Sequence, residues 1–207
     1  MICRTMVTIR GCTSPSARNI ARCESGGAAV EFGILAPLLL LMLLGTIELG
    51  RAINADRHFV GAVSSAGDLV AREADLGTTQ AAATANLNGM MQSIKHLMQP
   101  YDANSLKLGI FSVRASANDG NKAKVEWRYS YNGASVPAKC ADYTLPKDIL
   151  APGGSVIIVD ATYGFKSLFG SYVPGMRSSM TWSNKSYHSP RNKCVNYVEG
   201  DNCINPC

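Results

Sequence analysis

Residues 32–47 form the most apolar stretch of the chain and carry no charged side chain. With Ala28, Ala29 and Val30 added, the apolar run is interrupted only by Glu31 and reaches about 20 residues, enough for a helix to cross a hydrocarbon core of roughly 30 Å. A helix buried in a soluble core would need a polar face, and residues 38–44 offer none. The pattern therefore predicts one transmembrane helix.

Beyond Glu48 the apolar positions become periodic, recurring at intervals of three and seven residues at Ile53, Val60, Val63 and Val70. The same helix is therefore expected to continue to about Ala74, with Gly77 as its stop and with any kink at Pro37. A second helix is predicted from about Thr79 to Gln99, ended by Pro100. Its apolar face, read as core, holds Leu87, Met90, Met91, Ile94, Leu97 and Met98.

The rest of the chain shows strand patterns. Residues 122–131 alternate between an apolar face and a polar face, which is typical of a half-buried antiparallel strand. Leu106, Leu108 and Ile110 mark a strand before it, and residues 118–121 (NDGN) predict the hairpin turn between them. Further strands are predicted at 156–165 and 176–182, followed by a loop-like tail from Ser186. The fold class is α+β: a long N-terminal transmembrane helix leads into an exported domain with a second helix and a four-stranded antiparallel sheet.

Charge sets the expected topology. Arg4, Arg10, Arg18 and Arg22 precede the apolar run and oppose only Glu24, and positive residues stay on the cytoplasmic side. We expect a disordered cytoplasmic leader (1–26), a transmembrane and extended amphipathic helix (27–76), and an exported domain with a disulfide-linked tail (77–207) in the periplasm of a bacterial inner-membrane protein. A cleaved secretory signal fits less well, because the leader and apolar run are long and residues 49–52 (LGRA) make a poor cleavage site.

Cysteine positions agree with this topology. Three cysteines precede the membrane segment, and four lie on the exported side, where disulfides persist: Cys140, Cys194, Cys203 and Cys207. Four cysteines allow three connectivities, and the sequence does not choose among them. A zinc site made of His188, Cys194, Cys203 and Cys207 is the alternative, but its spacings fit no common zinc finger, so no metal is expected.

Glu31 is the candidate functional residue, because an ionisable group inside an apolar segment is costly and often functional. If a peptidase cuts between Gly26 and Gly27, Glu31 becomes the fifth residue of the mature chain. Its carboxylate would then pair with the new α-amino group of a neighbouring subunit and set the register between helices. The alternative is a carboxylate that reaches the lipid headgroups. Glu48 and Arg51, three residues apart, are expected to pair where the helix leaves the membrane.

The segment GGAAVEFGILAPLLLLMLLGTIELGRA begins like the class III signal of type IV prepilins, and it resembles the N-terminus of the TadE/TadG-like family of Flp (tight adherence) pilus assembly proteins. That family's pattern runs from Gly and small residues through Val-Glu-Phe and a Leu-Pro in a Leu run to a Glu-Leu-Gly-Arg-like exit. The resemblance covers about residues 22–73, including AGDLVAR at 66–72. The positions that match are Gly26, Glu31, Phe32, Pro37, Glu48 and Arg51.

The resemblance implies a pseudopilin-like or minor pilin-like component of a Flp/Tad-type pilus assembly or secretion system, because the chain carries a sizeable domain beyond the helix. Implied partners are the membrane, other pilus or pseudopilin subunits and, if the leader is cleaved, a prepilin peptidase; larger relatives can remain uncleaved anchors. No HExxH, GxSxG or phosphate-loop motif occurs and no basic cluster suits nucleic acid, so neither an enzyme nor a cofactor is expected. The alternative is a membrane-anchored extracytoplasmic enzyme or ligand-binding domain.

Overall fold

The computed structural model describes residues 27–171, 177–199 and 207. Two α-helices come first, α1 (Gly27–Arg72) and α2 (Gln80–Leu97), and a 3-10 turn (Ala103–Ser105) leads into the sheet. The five strands are β1 (Leu106–Ala115), β2 (Lys122–Tyr131), β3 (Asp142–Thr144), β4 (Ser155–Lys166) and β5 (Ser179–His188). All pairings are antiparallel, in the order β3-β2-β1-β4-β5. The predicted α+β class is confirmed.

The chain divides into two units between Thr46 and Ile47. In the N-terminal unit, the structure describes only the first part of α1, from residue 27 to residue 46. This part is apolar and nearly all of its residues are exposed, and Pro37 lies inside the helix without ending it. The C-terminal unit (residues 47–207) contains the rest of α1, helix α2 and the whole sheet.

Both helices of the C-terminal unit contribute to one core on one face of the sheet. Helix α1 supplies Ala55, Phe59, Ala62, Val63, Ala66 and Val70, and α2 supplies Ala83, Leu87, Met91 and Ile94. Phe59 stacks on Tyr163 of β4, with 5.8 Å between the ring centroids. Tyr129 of β2 donates a hydrogen bond to Asn88 of α2, and burial raises the pKa of Tyr129 to about 12. Trp127 and Tyr129 of β2 belong to this core, whereas Ala123 and Val125 pack on the opposite face of the sheet, because the pairing of β1 with β2 shifts its register after Ser112. The single apolar face predicted for residues 122–131 is therefore divided between the two faces of the sheet.

The opposite face of the sheet is covered by the segment between β2 and β4. Phe111, Val113, Val125 and Ile158 form a smaller buried cluster there. Against this cluster pack Val136, Ala141, Tyr143 and Leu150. The sheet is therefore protected on both faces, which explains why β4 reads as apolar on both sides in its first half.

The helix and strand bounds agree with the sequence pattern except at the edges of the sheet. Thr79 caps α2 by accepting a hydrogen bond from the Ala82 amide, so the helix begins one residue later than predicted. The prediction of four strands was wrong, because β3 has three residues and shows no periodicity. The fourth predicted strand was also misplaced: β5 runs from Ser179 to His188, and it includes Ser186, where we expected a loop-like tail. Residue 176, the predicted start, lies outside the described residues.

The tail is held by more than cysteines. Residues 191–199 follow the connection between the helices: the Leu76 amide donates to the Asn196 carbonyl, and the Glu199 amide donates to the Gly77 carbonyl. Val195 is buried, and its carbonyl accepts a 2.7 Å hydrogen bond from the Trp127 indole. The tail therefore completes the core beside the helices.

Candidate functional site: the apolar helix and its exit

Among the residues that the structure describes, no core forms around the apolar part of α1. It has the length and composition to cross a membrane, and no residue of its most apolar 18-residue window is buried. Large apolar side chains are exposed all around the helix, including Phe32 at 68%, Ile34 at 70% and Met42 at 64%. Leaving this much apolar surface in water is unfavourable, so the segment suits a single-pass membrane anchor.

Glu31 lies in the second turn of this helix and is exposed. Within the part of the chain that the structure describes, it forms no salt bridge and no side-chain hydrogen bond. Gly27 is the first helical residue, whereas Gly26 lies outside the described residues, as does the predicted leader. The predicted roles of Gly26 and Gly27 in processing and of Glu31 and Phe32 in assembly therefore stay predictions.

Glu48 sits one residue beyond the charge-free run and is 4% exposed. Its carboxylate meets the Arg51 guanidinium at 3.2 Å, the pairing expected from their spacing. The Arg51 guanidinium also lies 5.8 Å from the centroid of the Phe165 ring on β4. The carboxylate and the guanidinium thus neutralise each other beside the sheet.

A third partner of Glu48 comes from the far side of the sequence. The backbone amide of Leu168, just after β4, donates a 2.9 Å hydrogen bond to Glu48 Oε1. A buried carboxylate needs such donors, because burial without them costs several kcal/mol. Glu48 therefore joins the helix to the β4–β5 connection, beyond the exit role that the sequence assigned to it.

Farther along, α1 lies close against the edge of the sheet. A Cβ atom added at Gly67 would overlap the imidazole of His188 on β5, so the absence of a side chain permits this approach. Burial lowers the pKa of His188, and the nearby Asp68 carboxylate opposes that effect. On the outer side of the same helix, Leu49, Ile53 and Val60 are exposed at 61%, 47% and 42%. Their spacing places them on one face, as an apolar stripe.

The cysteines of the C-terminal unit that the structure describes are disulfide-bonded. Cys140 is bonded to Cys207, 67 residues later. Cys194 is also disulfide-bonded, and Cys203 lies outside the described residues. The zinc alternative loses the Cys207 thiol to this bond, and no group of three potential metal ligands occurs among the residues that the structure describes.

A groove of about 740 Å³ lies at the end of the sheet where β1, β2 and β3 meet, lined by Arg114, Lys122, Lys124 and Asp142. A ligand-binding domain or an enzyme, the alternative function, would need a groove of this kind. Arg114 is tied to the buried carboxylate of Glu126, which also accepts a 2.8 Å hydrogen bond from the Ser112 hydroxyl. This network satisfies the Glu126 carboxylate, whereas Arg114 Nη2 is buried without a hydrogen-bond partner among the described residues. None of the three histidines lines the groove.

Sequence reasoning missed the contact between Glu48 and Leu168 and the contact between Gly67 and His188. Both join residues about 120 positions apart, and neither Leu168 nor Gly67 belongs to a motif that predicts its partner. The one available signal was the acidic residue at the end of an apolar run, which predicts a partner of some kind but not which one.

Residues 26–68 match the family model described as TadE-like protein. The match begins at Gly26 and covers most of α1, and it includes Glu31, Glu48 and Arg51. It confirms the resemblance predicted from those residues and does not extend to α2 or the sheet. The chain matches neither a curated protein nor a solved structure.

Proposed function

We propose that this protein is a membrane-anchored, pseudopilin-like or minor pilin-like component of a Flp/Tad-type pilus assembly or secretion system. The observation that carries the proposal is the TadE-like match over residues 26–68, which covers the exposed apolar part of α1, its exit and most of its packed part. The match thus takes in the whole apolar run that lacks a core within the described residues, and such a run suits a helix that works in lipid or against other helices.

The proposed topology places the N-terminus in the cytoplasm and the C-terminal unit in the periplasm of the bacterial inner membrane. Support comes from the arginines that precede α1 and from the Cys140–Cys207 disulfide, since disulfides persist in oxidising compartments. In this arrangement the C-terminal unit remains outside and available to other subunits.

The proposed role of Glu31 is to receive a positive charge from a neighbouring subunit. Its carboxylate is exposed and has no salt-bridge partner within the described residues, yet it adjoins an apolar run that is costly for an unpaired charge. Cleavage between Gly26 and Gly27 would supply such a charge as a new α-amino group. N-terminal sequencing of the mature protein tests this step, and a mature chain that starts at Met1 would exclude it.

The decisive experiment replaces Glu31 with Ala in the bacterium that carries the protein. We expect fewer surface pili and loss of co-purification with other pilus components, while the amount of protein in the membrane stays unchanged. The matched control is Glu73→Ala, because Glu73 is an exposed glutamate just beyond the other end of α1. Equal piliation and equal co-purification in the two variants would count against the proposed assembly role.

The alternative function, ligand binding or catalysis by the C-terminal unit, would use the groove at Arg114. Lys122→Ala and Asp142→Ala change that groove without touching the helix. Under the proposed function both variants keep normal piliation, whereas loss of piliation in them and not in Glu31→Ala would favour the alternative.

A further inference from the structure

We propose that the start of the β4–β5 connection, residues 166–169 together with Arg177, forms a second contact with the lipid headgroups beside the exit of α1. We call this surface the hairpin foot. The proposal rests on membrane anchoring by α1 and goes beyond the proposed role in pilus assembly, because its partner is the phospholipid surface.

The position of the hairpin foot is given by one hydrogen bond. Leu168 donates its amide to Glu48, and Glu48 directly follows Ile47, the last residue of the charge-free run. The hairpin foot therefore lies within hydrogen-bond distance of the turn at which α1 stops being apolar on all sides. A surface beside the end of the apolar run is expected to contact the headgroup region of the bilayer that holds the helix.

The side chains there suit such a region. Leu168 is 58% exposed although its amide is engaged, and Phe169 beside it is half-buried. On α1 itself, Leu49, which follows Glu48, and Ile53 are also exposed. Insertion of these exposed side chains at the membrane interface would remove apolar surface from water.

The charges fit a phosphate surface. Lys166 and Arg177 are exposed on the two sides of the connection, where Lys166 pairs with Ser179 across the strands. Basic side chains at a bilayer surface are attracted to the phosphate groups of anionic lipids. Glu48, the acidic residue that is hydrogen-bonded to the hairpin foot, is paired with Arg51.

The same fold offers an internal comparison. Ile149 is another exposed apolar residue, at 38%, and it precedes β4, whereas the hairpin foot follows β4. The 12 residues of β4, about 36 Å of extended chain, lie between the two positions. Only the position that follows β4 adjoins Glu48, so lipid contact is expected there and not at Ile149.

The test places a photoreactive phenylalanine analogue at position 168 or at position 149 in the full chain, reconstituted in vesicles of phosphatidylcholine and phosphatidylglycerol. We expect severalfold more lipid adduct, measured by mass spectrometry, from position 168 than from position 149. Equal yields, or adducts from position 168 mainly to a second protein copy, would overturn the inference. The analogue at position 40, within the apolar run, must give lipid adduct in every case; its failure would instead reject membrane anchoring.

A double substitution tests the contribution of the two basic side chains. Lys166→Gln combined with Arg177→Gln should reduce the lipid adduct from position 168 in phosphatidylglycerol vesicles to the level seen in pure phosphatidylcholine. The control combines Lys139→Gln and Lys147→Gln, two exposed lysines in the segment between β2 and β4, and should have no effect. An equal decrease in both double variants would refute the specific contribution of the hairpin foot. Piliation plays no part in either readout, so this inference and the proposed function fail separately.

Discussion

Helix α1 contains two glutamates that experience opposite surroundings. Glu31 is exposed and has no salt bridge or side-chain hydrogen bond within the described chain, whereas Glu48 is buried and bound by Arg51 and the Leu168 amide. The aromatic residues repeat the contrast: Phe32 is 68% exposed and Phe59 is 1% exposed. One continuous helix thus has a part whose side chains find partners within the described chain and a part whose side chains do not.

The difference teaches where each part obtains its stability. From Ala55 onward, α1 packs on its own sheet, so substitutions there should change the free energy of unfolding. The part before Glu48 has no protein partner for its apolar surface among the described residues, so substitutions there should change membrane insertion or assembly and leave the C-terminal unit intact. Substitutions in the two parts of α1 test whether their stabilities are separate in this way.

The largest effect is expected from Phe59→Ala. It removes a ring that stacks on Tyr163 and leaves a cavity, so it should lower the free energy of unfolding by about 3–5 kcal/mol. Denaturant titration of the detergent-solubilised chain, followed by the fluorescence of Trp127 and Trp182, measures it. Phe32→Ala is the matched control, and a comparable loss in that variant would contradict the separation of the two parts.

Glu48→Ala should be the next largest. It leaves the Leu168 amide without its acceptor and Arg51 without its counter-ion, which costs about 1–3 kcal/mol in the same titration. Glu48→Gln retains an acceptor oxygen and should lose less. Glu31→Ala should leave the unfolding midpoint unchanged, and a shift as large as that of Glu48→Ala would show that Glu31 also serves the fold.

A pair of glycines sharpens the comparison within the packed part of α1. Gly67→Ala pushes a methyl group into the His188 ring and should destabilise the protein by about 1–2 kcal/mol, since the ring must move. Gly61→Ala meets no atom within 4 Å and should stabilise the helix by up to about 1 kcal/mol. Opposite signs in thermal unfolding are the expected outcome, and stabilisation by both substitutions would argue against close packing at His188.

The smallest effect is a dependence on pH. Burial lowers the pKa of His188 below its ordinary value of 6.5, so the unfolded chain binds this proton more readily than the folded chain. The resulting stability is fully present above pH 6.5 and is lost as the pH falls from there through the lower, folded-state pKa. His188→Gln should reduce the change of the thermal unfolding midpoint with pH over that range. His96→Gln, at an exposed position on α2, should not; equal flattening would assign the dependence elsewhere.

The sequence predicts the position of a strand where apolar and polar residues alternate along it. Strand β2 follows its predicted bounds because apolar and polar residues alternate over all ten positions of its sequence. Its burial does not alternate throughout, because Glu126 is buried between Val125 and Trp127 at the register shift with β1. The bounds of strand β5 were not predicted correctly, because it is an edge strand with three polar residues in succession, Asn184, Lys185 and Ser186. Neither of its faces therefore shows an apolar pattern. At the exit, spacing predicted the pair of Glu48 and Arg51, but the Leu168 amide is a backbone group brought there by the whole sheet.

The way α1 lies on the sheet has a mechanical consequence. Between Ala55 and Ala71 its buried face is made mostly of small residues, and the contacts with β4 and β5 are spread along the helix axis from Arg51 to Gly67. A pull along that axis would have to break these contacts together, in shear, and could not peel them one by one. The joint between helix and sheet should therefore withstand traction far better than a flexible tether would.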